Sequence, residues 1–425
     1  MADNGINSNN VTTVTPTTVA TAKDIQVEVA EDFEALTSMQ PQWDAFMEAA
    51  GGEIYLTYDW CRIWWKYYGG NRELKVFLFR HQGNLVGIIP LFFETIWLGP
   101  VYVRAVKVLG TDFTLAQACL PILTAFLQAV MESFFAKVCS IFRWDIICLG
   151  PLAGKYRDTD DLHQICLRIA SNHWRVKKIS GAVQTYFELG ASWEEYLASL
   201  SKRERDDIKR NYNLLARTIG VDIDKIVVRE AQIATFDEIF TDYIRMHQIQ
   251  WKELGKLGHF GDWPDSEAFH REAAKVQATR NRLRLQEIKL GNQCLGYEYS
   301  YKYGRSYLNF SGARLTSPQL ARVSVGKIAF SEMVKKAIAE GSNCIDSLQG
   351  RYEHKLRLGG KLFSIYRIRI VPRKIMVCVR TGIFRFLAKL LDICYFRIWF
   401  LRLAPRLPFK RGSLWKIWIR TRMFA

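Results

Sequence analysis

Hydrophobic positions along the chain follow two rhythms: short β-rich apolar runs, and longer stretches with apolar residues three to four apart. The switches between them predict mixed strands and helices from about Lys23 onward. FEALTSMQPQWDAFMEAA reads as helical with an interruption at Pro41, and LTYDWCRIWWKYYGG as an aromatic-rich helix stopped by a glycine pair. Next, LKVFLFR and LVGIIPLFFETI are β-rich runs joined by a polar turn containing Gly83 and Asn84, the signature of a hairpin.

About 209 residues later, LRLQEIKL-GNQ-CLGYEYSYKY repeats the order of strand, Gly-Asn turn, and an apolar residue followed by glycine. Val86-Gly87 in the first copy corresponds to Leu295-Gly296 in the second. Paired aromatics precede each copy, Trp64-Trp65 and Trp251. The repetition predicts a duplicated unit. Between the copies lie a strand near RWDIICLGPLAG, a helix near DLHQICLRIAS and a strand near AVQTYFELG. The second half opens with one helix, SWEEYLASLSKRERDDIKRNYNLLAR, capped by Ser192 with Glu195 three residues on. After the second hairpin come RSYLNFSGAR, a helix from about Pro318 to Glu340, a strand SNCIDSLQG and a final strand KLFSIYRIRIV. The fold class is therefore α/β (α+β), two similar halves with mixed sheets flanked by helices.

The ends differ from this body. Residues 1–22 are rich in Asn and Thr, lack the basic and apolar regions of a signal peptide, and read as a disordered arm. The uncharged run FTLAQACLPILTAFLQAVM nearly reaches bilayer-spanning length, but its Gln, Pro and Thr residues favour a buried strand followed by a core helix. Residues 361–425 hold sixteen Lys or Arg and one acid, Asp392, so that this segment carries +15 of the net +17 and the rest of the chain about +2. Residues 373–425 alternate aromatic and aliphatic residues with single cations, the pattern of an amphipathic tail that lies on an anionic membrane; a helical pair packed on the body with its arginines in solvent is the alternative. The near-neutral body gives no electrostatic reason to expect nucleic acid. Nine scattered cysteines, with no CxxC pair and no metal-ligand cluster, read as reduced thiols in a cytoplasmic protein.

The division expected is an arm (1–22), an N-terminal unit (23–190), a C-terminal unit (191–372) and the tail (373–425). No phosphate-loop, dinucleotide, zinc-protease, serine-hydrolase or kinase motif occurs. Three stretches remain. SLSKRERDDIKRNY carries Arg203 and Arg205 among interleaved acids on a helix. ARVSVGKIAF places Ser324, Gly326 and Lys327 at a helix start, whose free backbone N–H groups suit a phosphate. CIDSLQGRYEHK ends a strand at Asp346 and brings His354 and Lys355 close behind, an arrangement able to do acid/base and anchoring work.

These stretches resemble the GNAT-superfamily acyltransferases of the CelD type, related to FemAB-like transferases. Asp346, Leu348, Gly350 and Lys355 match the run in which that family has Asp-aromatic-Leu-Arg-Gly closing on Tyr-Lys, while Ser347, Gln349 and His354 depart from it. The resemblance extends over IRMHQIQWKELGK, with His247 and Trp251, and over Ser324–Gly326. It implies tandem GNAT-like domains, the second keeping the donor site, with acyl-CoA as co-substrate and no permanently bound cofactor or metal. It also implies Asp346, Glu298 and His247 as base or orienting groups; Ser324, Gly326 and Lys327 as donor-binding residues; and Arg203, Arg205, Trp251, His354 and Lys355 as substrate contacts. A turn cap for Asp346, a solvent-facing strand position for Glu298 and a helix-surface position for His247 stay open as structural readings. The expected activity is acyl transfer to an amine or hydroxyl of an envelope polysaccharide precursor or lipid-linked acceptor, by a peripheral protein on the inner face of the cell membrane. A sphingoid-type lipid amine as acceptor, a catalytically degenerate scaffold, and an aminoacyl-tRNA donor are the competing expectations.

Overall fold

A computed structural model describes residues 20–112, 120–153, 158–253, 258, 260, 264–404 and 414–424. Most of the predicted arm, Cys119, and part of the uncharged run lie outside the described residues. The first half contains β1 (Ile25–Ala30), α1 (Gln40–Ala49), α2 (Tyr58–Tyr68), β2 (Glu73–His81), β3 (Asn84–Leu98), β4 (Val101–Val108), α3 (Leu127–Ile141), β5 (Ile146–Ala153), α4 (Asp158–Ala170) and β6 (Trp174–Glu188). The second contains α5 (Trp193–Ser199), α6 (Lys202–Ile219), β7 (Ile226–Glu230), α7 (Phe236–Glu253), α8 (Ser266–Thr279), β8 (Leu283–Leu290), β9 (Gln293–Tyr303), β10 (Ser306–Arg314), α9 (Val325–Ala339), β11 (Cys344–Gln349), α10 (Glu353–Arg357) and β12 (Lys361–Pro372).

All strands among the described residues join one twelve-stranded sheet in the order β1-β2-β3-β4-β5-β12-β6-β11-β10-β9-β8-β7. The halves exchange their last strands: β12 pairs with β5 of the first half, β6 pairs with β11 of the second, and the two pair with each other from Lys361↔Tyr186 to Pro372↔Trp174. Both hairpins carry the same irregularity. Phe79 faces Gly87 and Arg80 faces Leu85, leaving Val86 as a bulge; Ile288 faces Gly296 and Lys289 faces Cys294, leaving Leu295 as one. In each half one parallel pair follows, Ala105–Lys107 with Ile146–Cys148 and Ser306–Leu308 with Cys344–Asp346. The duplication read from Val86-Gly87 and Leu295-Gly296 is thus present in backbone register.

Aromatic residues of α2 do not stay in their own half. Trp60 packs edge-on against Tyr301 and Phe269, both with centroids 5.6 Å away, and the ion pairs Asp44–Arg282 (3.0 Å) and Asp59–Arg280 (3.1 Å) join the halves.

Four expectations change. Pro41 does not interrupt a helix but sits in the first turn of α1, where its missing N–H leaves nothing unpaired. The predicted 192–217 helix is two helices, because Ser201 caps a second start by accepting from the Glu204 N–H (3.3 Å). The 318–340 helix is a 3₁₀ turn at Pro318–Leu320 followed by α9. Among the described residues the uncharged run makes no strand beyond an isolated bridge of Ile122 to Gly87. Thr124–Ile141 is the one described helix long and apolar enough to cross a membrane, and half of it is buried within the protein.

The tail forms α11 (Ile375–Leu391), a π-helical continuation (Asp392–Leu403) and α12 (Leu414–Thr421). One face of α11 is docked on the first half. Phe384, Met423 and Phe424 are buried with Ala105, Ile146 and Cys148, and Arg380 pairs with Asp145. The other face exposes Met376, Val379, Ile383, Phe386 and Leu390, spaced three and four apart, and Ile393 carries the stripe into the π-helical segment.

Candidate functional site

The second half opens where β10 and β11 part. Their pairing stops at Leu308↔Asp346, since β10 bulges between Asn309 and Ser311 and β11 shifts register against β6 between Asp346 and Gln349. Leu348 holds the left-handed conformation at φ 60°, and the Asp346 Oδ1 accepts its N–H at 2.9 Å. Asp346 therefore does cap a turn, as its structural reading required. Its other oxygen accepts from the amide of Gln184 on β6, so the exchanged strand positions this carboxylate.

On the α9 side of the opening lies a buried polar cluster. Glu298 accepts from Asn309 Nδ2 at 2.8 Å, and the same amide reaches Ser300 Oγ at 3.2 Å. Glu298 is buried, so its solvent-facing reading does not hold. Gly312 leaves the space for it, because a Cβ there would lie 2.8 Å from the Glu298 Oε1. Burial drives the Glu298 pKa up to about 7, against the opposing pull of the Asn309 hydrogen bond and the Lys355 charge. Lys355 donates to the Ser347 carbonyl at 2.7 Å. Burial pushes its pKa down to about 8, against the attraction of Asp346 and Glu298. Lys355 thus senses both carboxylates across the opening.

The donor-binding candidates meet at the start of α9. The Ser324 N–H is taken by Asn211 Oδ1 of α6 at 2.7 Å, and Lys327 pairs with Glu204 and Asp207 of the same helix, so both fix α9 against α6. Gly326 faces the guanidinium of Arg314, whose Nη1 would be 3.3 Å from a Cβ built there. Arg314, at the end of β10, was not among the residues expected from sequence; its position closing the strand that leads into this turn was the available signal. Arg205 donates to the Leu200 carbonyl at 2.6 Å and so closes the α5–α6 corner, whereas Arg203 lines a cleft of about 670 Å³ with Lys202, Arg210 and Arg357. His354, in the first turn of α10, stacks near Tyr352 with centroids 5.6 Å apart.

His247 and Trp251 lie elsewhere. Tyr297, Tyr299 and Tyr301 point to the sheet face opposite Glu298 and Ser300, and there α7 packs Tyr243 on Tyr299. His247 is buried against Trp251 (5.6 Å) and Phe260 (5.2 Å), so its helix-surface reading does not hold either. Asp346 faces a cleft of about 620 Å³ shared by both halves and lined by Glu53, Tyr186, Tyr303, Arg305 and Phe363. Gln184, Asn309 and Arg314 are thus the site residues that sequence reasoning missed.

Residues 202–356 match the acetyltransferase (GNAT) domain. Solved structures agree on the fold beyond that span. The chain is similar to FemX (TM-score 0.56, 11% identity, 80% of this chain and 96% of that one). It is also similar to a conserved protein of unknown function from Bacteroides thetaiotaomicron VPI-5482 (TM-score 0.50, 11% identity, 82% and 100%). No curated protein matches the sequence. At these identities the likeness shows a GNAT-like fold and no substrate.

Proposed function

We propose that the second half transfers an acyl group from acyl-CoA to an amine or hydroxyl, through the opening between β10 and β11. The observation that carries this reading is the buried Glu298–Asn309 pair beside Lys355, set where the parallel strands part. The thioester enters from the α9 side, its phosphates near Gly326 and Arg314, and the acceptor enters from the Asp346 cleft. The acceptor nucleophile attacks the carbonyl carbon while Glu298 takes its proton, and the Lys355 ammonium donates to the oxyanion. Collapse breaks the C–S bond, and the CoA thiolate leaves and takes up a proton. Asp346 and Glu53 hold the acceptor amine, and Tyr186 and Phe363, packed edge-on at 5.8 Å, offer a saccharide or amphiphile an aromatic wall.

The exposed α11 stripe, flanked by cations and almost free of acids, supports placing the protein on an anionic membrane surface and favours an envelope or lipid-linked acceptor. A sphingoid-type amine fits the same approach. Phe386→Glu should then release the full-length protein from phosphatidylglycerol vesicles in a flotation assay. The direct test of transfer is acetyl-CoA and long-chain acyl-CoA turnover, read as thiol release with amine acceptors, by the full chain and by Glu298→Gln. Binding without turnover by any acyl-CoA would point to the degenerate scaffold. Silence toward every acyl-CoA, with aminoacyl-tRNA consumed, would replace the donor.

A further inference from the structure

A second cavity, of about 660 Å³, lies between the tail and the ribbon formed by β6 and β12. Arg367, Arg385, Lys389, Arg397 and Arg422 line it, with Asp392 as the one acid among its lining residues. That acid is already engaged, by Arg397 Nε at 2.8 Å and Trp418 Nε1 at 3.0 Å. Arg367 donates to the carbonyls of Met423 (2.7 Å) and Arg422 (3.3 Å), and Arg422 donates to the carbonyl of Asp112 at 2.8 Å. Arg385 has a buried Nε with no hydrogen-bond partner, and neither it nor Lys389 has an acidic partner among the described residues. Five cations from a strand, a helix, a π-turn and the segment after α12 thus surround one space against a single acid in its lining.

We propose that this cavity binds a phosphate group, that of a phosphorylated amphiphile whose reactive end reaches the Asp346 cleft. Like charges gathered round one cavity repel, and a dianionic phosphoryl group with several acceptor oxygens offsets that repulsion and fits planar guanidinium forks. Burial lowers the Arg385 pKa, the response expected of a cation with no acid beside it. The two cavities adjoin along the ribbon. Ile365 lines this one and Phe363 the Asp346 cleft, two residues apart on β12; Gln349 and Asp346 divide in the same way on β11, a separation of roughly 7–10 Å at strand rise. Apolar Ile393 and Phe396 stand at the wall on the tail side, and Ile393 continues into the exposed stripe of α11, an exit for an alkyl chain. Phosphate capture stands on the cavity alone; only the delivery of the acceptor to Asp346 rests on the acyl-transfer reading.

Isothermal titration of the full chain with inorganic phosphate, glycerol 3-phosphate and dihexanoyl phosphatidic acid below its micellar concentration, at constant ionic strength, tests the site. The expected result is binding that falls at least tenfold in Arg385→Gln and in Lys389→Gln, with no loss in Arg402→Gln, an exposed tail cation outside the cavity. Both variants should keep or raise the melting temperature in chloride, since each removes an unopposed charge, and this separates lost binding from lost fold. Phosphatidic acid binding tenfold tighter than inorganic phosphate assigns the site to a lipid headgroup, and equal affinity assigns it to free phosphate. No binding of any of the three, or an equal loss in Arg402→Gln, overturns the proposal. Gly326→Glu should abolish acyl-CoA binding and leave phosphate binding intact, so that failure of the donor site and failure of this one read differently.

Discussion

The two halves build the same opening and treat it oppositely. Where the second half has Leu308 and Asp346 at the last parallel pair, the first has Lys107 and Cys148. Lys107 is buried and pairs with Glu94 (2.6 Å) and Asp112 (2.9 Å), and donates to the Arg420 carbonyl at 2.7 Å. Arg72 and Arg420 close the network on Glu94 at 3.2 and 2.8 Å, and Met423 and Phe424 pack beneath against Cys148. The starts of the covering helices differ too: α3 begins at Phe126 and Leu127, both buried, whereas α9 begins at Ser324, Val325 and Gly326 beside Arg314. One opening is filled by the chain's own C-terminus and fixed by mutually paired charges. The other keeps an unspent carboxylate near neutrality. A duplicated fold supplies both openings, and the side chains at the point where the strands part decide which is open to the proposed chemistry.

The largest expected effect breaks the comparison on the catalytic side. Glu298→Gln should lower kcat/KM by about 10²–10⁴, the range for loss of a general base, with KM for acyl-CoA nearly unchanged. Wild-type activity should rise with pH as Glu298 ionises near 7 and fall as Lys355 loses its proton near 8, a narrow bell whose limbs belong to the interacting pair. The variant should keep only the falling limb. An unchanged profile would remove Glu298 from the reaction.

On the filled side, Glu94→Gln should leave acyl-CoA binding alone and cost stability instead. Burial opposes ionisation of Glu94, yet Lys107, Arg72 and Arg420 bring its pKa down to about 2. Removing that charge leaves buried cations unpaired, which typically costs about 3–5 kcal/mol, read by urea denaturation. Because the folded pKa lies below the unfolded one, the wild-type contribution is present above about pH 4.5 and is lost as pH falls toward 2. If Glu94→Gln abolished turnover while leaving stability intact, the first half would be the active one.

Glu298 should show the opposite sign. Its folded pKa is raised, so wild type carries a burial penalty that is absent below about pH 4.5 and complete above 7. The rise from 4.5 to about 7 sets an upper limit of about 3.4 kcal/mol. Glu298→Gln should therefore melt above wild type at pH 8.5, with the gap closing toward pH 4.5. A Tm difference independent of pH would mean that the carboxylate is already solvated.

How much of this was legible follows from what kind of information each feature needs. The hairpins were, because Val86-Gly87 and Leu295-Gly296 are local patterns with a local consequence, a bulge at one register. Glu298, Asp346 and Lys355 were candidates because family resemblance marked their stretches, and the structure sets them around one opening. The exchange of β6 and β12 was not legible, since periodicity says which residues face a core and nothing about which strand lies alongside. Ser201-x-x-Glu204 was legible as a second helix start and was overlooked in favour of the earlier Ser192 cap. Gln184, Asn309 and Arg314 carry no pattern of their own; only the parting of β10 from β11 gives them a task. Lys327 was placed correctly at a helix start, but its partners Glu204 and Asp207 lie on another helix, and sequence gave no sign of them.

That last contrast sets the smallest effect, at the donor end. Lys327 and Arg314 are both cations beside the start of α9, yet one is paired with two acids and the other faces Gly326. A hydrogen bond from a charged donor to a phosphate is worth about 1.5–3 kcal/mol. At an exposed site the low end applies, so Arg314→Gln should weaken acyl-CoA binding about tenfold without changing stability. Lys327→Gln should do the reverse. It leaves affinity near wild type and loosens α9 from α6, lowering Tm because Glu204 and Asp207 lose the cation that ties them to α9. Should Lys327→Gln prove the tighter constraint on acyl-CoA, the lysine must exchange its carboxylates for phosphate on binding, and the helix start would then be remodelled by its ligand instead of waiting preformed for it.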